Sequence, residues 1–223
     1  MVVVKYKKLN EGKFFSHLNM IRIFNRLLSI GSVDVKYSEG FNKTRRIYFS
    51  SPTRVGVESE CEYLIIDTDE KAKDVKYKIE NILPQWMELV SVYAVDGKLN
   101  VAALNKFAQY QVQFDDYKST RAKVKQYFER EKIEIKTIQH GEEKVVDVKD
   151  RIKNYSTKED YLIMTCGVGD KSVKPDELIK DMLAFIGKKD ACFDIKKMEL
   201  YCQNDQEELV CIDEKAKDVI VSE

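Results

Sequence analysis

The chain has 223 residues, 43% hydrophobic and 34% charged, with three prolines and nine glycines; this suits one large folded domain or two small ones and argues against long disordered tracts. No apolar run approaches the roughly 20 residues that span a bilayer, and the short apolar start "MVVV" cannot form a signal-peptide core, so a cytoplasmic protein without a membrane partner is expected. Net charge is zero, yet residues 1–60 hold eleven Lys/Arg against five Asp/Glu, an asymmetry that points to a basic face for an anionic partner.

In chain order, "VVVKYKKLNEGKFF" reads as a strand with a turn at Asn10-Glu11-Gly12. Ser16 can cap a helix over residues 17–30, with Leu18, Ile21, Phe24 and Leu28 as its core stripe and Gly31 as a left-handed stop. "VDVKYS", "RIYFS" and "CEYLIIDT" read as strands. Residues 70–83 read as a helix stopped by Pro84, with Ala72, Val75, Ile79, Ile82 and Leu83 inward, and "MELVSVYAV" is an alternating strand. Strand, helix, strands, helix, strand is the split βαβ, ferredoxin-like order on an antiparallel sheet. Asp96-Gly97 and the residues after it read as a connection. The order then recurs: "KFAQYQVQF", a helix over 119–132 with Val124, Tyr127 and Phe128, "IEIKTIQ", "YLIMTCGV", a helix opened by Pro175 and ended by Gly187, and "FDIKKMELYCQ". The expected fold is α+β, two tandem ferredoxin-like halves. Residues 1–100 carry the basic, motif-rich face, and 101–223 end in an acidic tail that frays or adds a late strand.

The five cysteines (Cys61, Cys166, Cys192, Cys202, Cys211) form no C-x-x-C pair, and only two histidines occur. Reduced thiols are expected, with no metal site and no cofactor in this chain. The chain also lacks a P-loop, a G-x-S-x-G elbow and an obvious carboxylate pair. His140, in "QHGEEK", is expected in a solvated turn.

The dense stretch is "YSEGFNKTRRIYFSSPTRVGVES", residues 37–59. Glu39-Gly40 reads as a tight turn, and Asn42 tolerates a left-handed conformation. Lys43, Arg45 and Arg46 follow within four positions, and the arginine fork fits phosphate. Tyr37, Phe41, Tyr48 and Phe49 interleave with these cations, a mixture that suits single-stranded nucleic acid. Alternating aromatics also serve cores, and Tyr48 and Phe49 cannot face the same way, so one of them is expected inside. Arg54 adds a cation, Gly56 permits close backbone approach, and Glu58 is available to an arginine. Upstream, His17 opens the first helix, and Arg22 and Arg26 share a face that is either a basic ridge or a solvated surface.

At these residues the chain resembles a bacterial family. "FFSHLNMIRIFNRLLSIGSVDVKYSEGFNKTRRIYFSSPTRVGVESECEYLIID" is similar to the opening of the radical SAM-linked, or radical SAM-associated, proteins of unknown function. Their pattern runs approximately F-x-S-H-L-D, an arginine-bearing helix, Y-S-E-G-F-N-P and a strand ending near G-V-E-S. "KVVDVKDRIKNY" and "SVKPDELIKDML" resemble their second half. The resemblance implies a radical SAM protein as partner. This chain has no cysteine triad for such a cluster, so it would be the separate partner. The matching positions that can bind something are Ser16, His17, Arg22, Tyr37, Ser38, Glu39, Gly40, Phe41, Asn42, Arg46, Gly56, Glu58 and Ser59. Asn19 departs from the family's aspartate, and Lys43 and Thr44 replace its Asn-Pro continuation. A weaker, fold-level likeness to CRISPR repeat-processing endoribonucleases of the RAMP type raises RNA as ligand and His17 as general acid or base.

Three functions stay open: a non-catalytic RNA-binding or substrate-presenting partner of a radical SAM enzyme, a metal-independent ribonuclease using His17, and a protein-interaction module. The oligomeric state is not legible.

Overall fold

The computed structural model describes residues 1–97, 100–139, 142–169, 172–204 and 206–217. They form a mixed α and β structure in two compact units, Met1–Asn105 with the stretch from Leu200, and Lys106–Glu199. His140, residues 98–99 and the end of the acidic tail lie outside the described residues. No described helix is long and apolar enough to cross a membrane.

In the first unit, β1 (Val2–Lys8) lies between β4 (Met87–Ala94) and β3 (Glu58–Ile66), and β2 (Ile47–Phe49) pairs with the last three residues of β3. All these pairings are antiparallel. Alternation in β1 sends Val2, Val4 and Tyr6 to one face, where they meet Leu64 and Ile66 of β3. Two helices cover that face, α1 (His17–Ile30) with Met20, Phe24, Leu27 and Leu28, and α2 (Ala72–Glu80) with Val75 and Ile79. Phe24 meets the Tyr6 ring edge-on at 4.8 Å; burying a side chain of this kind contributes about 2–3 kcal/mol. The expected stripe of α1 is rotated: Leu18 is 65% exposed, and Met20 and Leu27 take the inward places.

Three local expectations change. Gly31 ends α1 in the right-handed region, at φ −72°, and Ser32 takes the left-handed step at φ 52°. Glycine is required at 31 for closeness, because a Cβ there would stand 2.7 Å from the Lys78 carbonyl oxygen of α2. "VDVKYS" forms no regular strand. Its backbone is laced to neighbours through Lys36 N–H to Asp67 O (2.8 Å) and Arg46 N–H to Lys36 O (2.8 Å), and Tyr37–Arg45 is an isolated bridge. The turn after β1 is a 3-10 helix over Asn10–Phe14.

The second unit orders its strands as β10 (Phe193–Gln203), β5 (Phe107–Phe114), β9 (Leu162–Gly167) and β8 (Ile152–Thr157). Its helices are α4 (Tyr117–Glu129) and α5 (Pro175–Phe185), and β6 (Glu134–Gln139) pairs with β7 (Glu142–Asp147) as a separate hairpin. The sequence reading omits β7 and β8.

A short helix, α3 (Val101–Leu104), precedes the first division at 105/106; the expected boundary is residue 100 with the tail in the second half, but the tail does not stay with the second unit. From Leu200 the chain belongs to the first. There β11 (Leu209–Cys211) pairs with residues 201–203 and leads into α6 (Ile212–Lys217). The tie is electrostatic. Asp213 accepts from buried Lys5 Nζ at 2.7 Å and from the Tyr93 hydroxyl at 3.0 Å.

Candidate functional site

Helix α1 builds the site by its periodicity. At 100° per residue, His17, Ile21, Asn25 and Ser29 form a row beside the buried stripe, and Leu18, Arg22 and Arg26 form the next row outward. Ser16 starts the helix as its cap: the hydroxyl accepts from Asn19 N–H at 3.3 Å and bonds the Asn19 side-chain oxygen. Asn19 therefore closes the cap where the resembling family carries aspartate.

Opposite this row stands an arm, residues 37–45. Its base is clasped by Ser38 N–H to Thr44 O (2.8 Å) and Thr44 N–H to Ser38 Oγ (3.0 Å). The turn between is Glu39-Gly40-Phe41-Asn42-Lys43; Gly40 sits at φ +124°, open to glycine and strained for other residues. The Phe41 side chain at the tip is fully exposed.

Arg45 clips the arm to α1. Its guanidinium donates to the Asn25 carbonyl and the Ser29 hydroxyl, both at 2.8 Å, and lies 5.9 Å over the Tyr37 ring. Arg46 is also engaged, 3.0 Å from Asp67 and 3.4 Å from the Tyr48 hydroxyl, and those two groups raise its pKa. The pair expected as free phosphate forks is thus a fastening between arm, helix and sheet.

Between the helix row and the arm lies a cleft of about 600 Å³. Its walls are His17, Ile21 and Asn25, then Tyr37, Lys43, Thr44 and Arg45, then Ile47 and Phe49. Among the described residues no carboxylate lines it. Cations, an amide, two hydroxyls and the rings of His17, Tyr37 and Phe49 beside apolar Ile21 and Ile47 suit an anion that carries a planar group.

Behind His17 and Phe49, whose rings stand perpendicular with centroids 5.4 Å apart, is a smaller chamber of about 10 Å³, roughly the space of one water. Both rings line both spaces. Lys8, Ser50, Thr53 and Glu62 face the chamber together with Tyr6, Met20 and Pro52, and Lys8 and Glu62 are only 3% and 6% exposed. Thr53 donates its hydroxyl to the Glu62 carboxylate. Burial, then the Glu62 charge, pushes the Tyr6 phenol well above its ordinary range.

Of the residues singled out in the sequence, His17, Tyr37, Lys43 and Arg45 meet in the cleft. Ser38, Glu39, Gly40, Phe41 and Asn42 form the arm, and Arg22 and Arg26 are exposed on the outer row. The last group lies elsewhere in the unit. Arg54 is exposed, the Gly56 N–H bonds the Lys13 carbonyl at 2.8 Å, and Glu58 accepts from Asn10 N–H at 2.9 Å. Ser59 is fully buried in β3 and accepts from Cys61 N–H. Tyr48 points outward and Phe49 inward against Phe24 at 5.8 Å, as alternation requires. Sequence reasoning missed Asn25, Thr44, Lys8 and Glu62.

A model of a bacterial protein family, described as uncharacterized protein conserved in bacteria (DUF2344), matches residues 2–175. That span includes every residue of the cleft and the chamber. No curated protein matches the chain.

Proposed function

We propose that this chain, which belongs to the DUF2344 family of uncharacterized bacterial proteins, is a non-catalytic binding protein. It holds a single-stranded RNA segment in the first-unit cleft and presents it to a separate radical SAM enzyme. One observation carries the RNA reading: the cleft combines cations and aromatic rings and is lined by no carboxylate among the described residues. Lys43 and the outer-row Arg22 and Arg26 supply phosphate contacts, while Tyr37 and Phe49 offer ring faces to bases. Arg45 keeps the arm in place. The radical SAM partner rests on the sequence resemblance alone. Two tandem ferredoxin-like halves belong to the same reading: β4-β1-β3 with β2 beyond, and β10-β5-β9-β8, share the order fourth, first, third, second.

The test is fluorescence anisotropy of a short single-stranded RNA across a salt series, with Lys43→Ala and with Arg22→Ala/Arg26→Ala. Each lost phosphate contact lowers the salt slope by about 0.7 for single strands. Folded variants with wild-type affinity and slope sink the reading. The ribonuclease alternative needs a second group to share proton transfer with His17; among the described residues the cleft lining holds no acid, while Glu62 faces the chamber that His17 also borders. RNA cleavage in chelator that vanishes with His17→Ala revives it.

A further inference from the structure

The second unit holds a pocket that the function proposed above leaves unused. It measures about 370 Å³ and lies between the end of α4 and the strand β8. Phe128, Ile152 and Tyr155 are its apolar walls, and Lys149, Lys153 and Asn154 its polar ones. Among the described residues no carboxylate lines it. A break in register builds it. Ile152 pairs with Cys166 and Asn154 with Thr165, so Lys153 is an extra residue, a bulge. In a regular strand Ile152 and Tyr155, three positions apart, would face opposite sides of the sheet. With the bulge they share the side of their partners Cys166 and Met164, where Tyr155 stacks on Phe128 with centroids 4.8 Å apart. Lys149 is already engaged, donating to the Phe128 carbonyl. Lys153 and Asn154 are exposed.

The pocket adjoins an open edge. β8 ends its sheet and pairs only with β9 among the described residues. Lysine and a bulge commonly guard such edges, but here both stand at one end. Residues 154–157 continue in regular register without charge or proline. We propose that β8 is a docking edge for a partner protein, which adds an extended segment alongside residues 154–157. The segment sets a bulky apolar side chain in the pocket against Ile152 and Tyr155 and an acidic side chain beside Lys153. The alternating N–H and C=O groups of an edge match another polypeptide backbone, whereas the phosphates of RNA only accept. Phe128 is 1% exposed beneath Tyr155, so it offers no ring face to a base. A lining with lysines and no carboxylate selects the acid, and residues two apart on a strand share a face, so the motif is apolar-x-acidic. The volume falls within the roughly 300–1,000 Å³ of ligand sites. The pocket is open as it stands, and it lies wholly within the second unit, so this docking edge does not depend on the RNA reading.

The probes are fluorescein-labelled octapeptides of alternating threonine and valine that carry leucine and aspartate two positions apart, one peptide in each order to cover both strand directions. Each is titrated against the wild-type chain by anisotropy, and its site is mapped by amide NMR shifts of the isotope-labelled chain. Binding in at least one order, with shifts across residues 153–157, is expected. Methylating the peptide's backbone nitrogens removes its donors and is expected to weaken binding about tenfold. Replacing its aspartate by lysine is expected to weaken binding about threefold, and Lys153→Glu, checked by its thermal melt, to reverse that preference. No binding in either order overturns the docking edge. So does an N-methylated peptide that binds as well as its parent, or an aspartate preference unchanged in folded Lys153→Glu. A short single-stranded RNA that shifts the amides of residues 153–157 when the peptides do not makes the pocket a nucleic-acid contact and overturns it too. The RNA reading of the first unit stands or falls separately, on the Lys43→Ala salt slope.

Discussion

Replacing Arg45 by alanine separates a fastening from a ligand contact. The wild-type guanidinium makes two bonds of 2.8 Å to α1, one longer contact of 3.4 Å to the Asn25 side chain, and a cation–π contact with Tyr37. At a half-exposed position each good bond contributes about 1 kcal/mol, and the ring contact about 0.5 kcal/mol. Release of a long side chain returns about 1 kcal/mol of rotamer entropy. The net loss is about 1–2 kcal/mol, and at about 2–4 °C per kcal/mol for a chain of this size the melting point falls by about 3–6 °C. Lys43→Ala touches only an exposed side chain, so its stability should stay within about 0.5 kcal/mol of wild type while its RNA salt slope drops. Arg45→Lys keeps the charge but not the fork and should resemble alanine in the melt. Calorimetry and anisotropy on the three variants check this. An Arg45→Ala protein that melts with wild type refutes the clip. A double Arg45/Arg46 alanine variant is a poor test of RNA contacts, because it also cuts the Arg46–Asp67 ion pair at 3.0 Å.

Other expectations follow from single positions. Gly31→Ala sets a methyl 2.7 Å from a backbone carbonyl and should cost about 1–3 kcal/mol in urea unfolding, although its φ is open to any residue. Under native conditions iodoacetamide should label exposed Cys192 first and leave Cys61 and Cys166 untouched, because burial pushes the Cys166 thiol up to about 12; peptide mapping reads the order. Burial works to raise the Glu70 pKa, but bonds from Lys78 (2.7 Å) and the Asp34 N–H (2.6 Å) outweigh it and hold it below 4.5. A carboxylate lowered in the folded state contributes stability above its ordinary pKa and loses it as pH falls through the folded value. Glu70→Gln should therefore lower the urea midpoint at pH 7, with the difference from wild type closing as pH falls through the folded value. Phe41→Ser should leave the melting point unchanged, since that ring touches solvent on every side.

Much of the architecture was legible because local signals agreed. Ser16 as cap and the apolar spacing bounded α1 at 17–30, Pro175 opened α5, and "FDIKKMELYCQ" is the whole of β10. Where local and tertiary signals diverge, the reading slipped. "VDVKYS" alternates like a strand, but its hydrogen bonds go to scattered partners, Asp67 and Arg46. The stripe of α1 was set one step off because Leu18 is as apolar as Met20, and only packing against the sheet distinguishes them. The roles of Arg45 and Arg46 could not be read at all. Adjacent in sequence, they look alike, yet neighbouring residues in extended chain point to opposite sides. One reaches back to α1 and the other to Asp67.

The chamber residues carried a signal that strand alternation could have exposed. Tyr6 faces the core, so Lys8, two residues on, should face it as well; Leu64 faces the core, so Glu62, two residues before, should too. Tyr6 and Glu62 are direct partners across β1 and β3. In the sequence Lys8 stands in "KYKK" and Glu62 in "CEYLII", both within segments read only as strands. Each apolar alternation is broken by a charge at the same end of the paired strands, under the first turn of α1 where His17 stands. A strand that keeps a charge on its buried face gives up hydrophobic stabilisation, and two neighbouring strands do so here at one place. That coincidence lies directly behind the shared His17–Phe49 wall, where the charged ends of two core strands meet the first turn of α1.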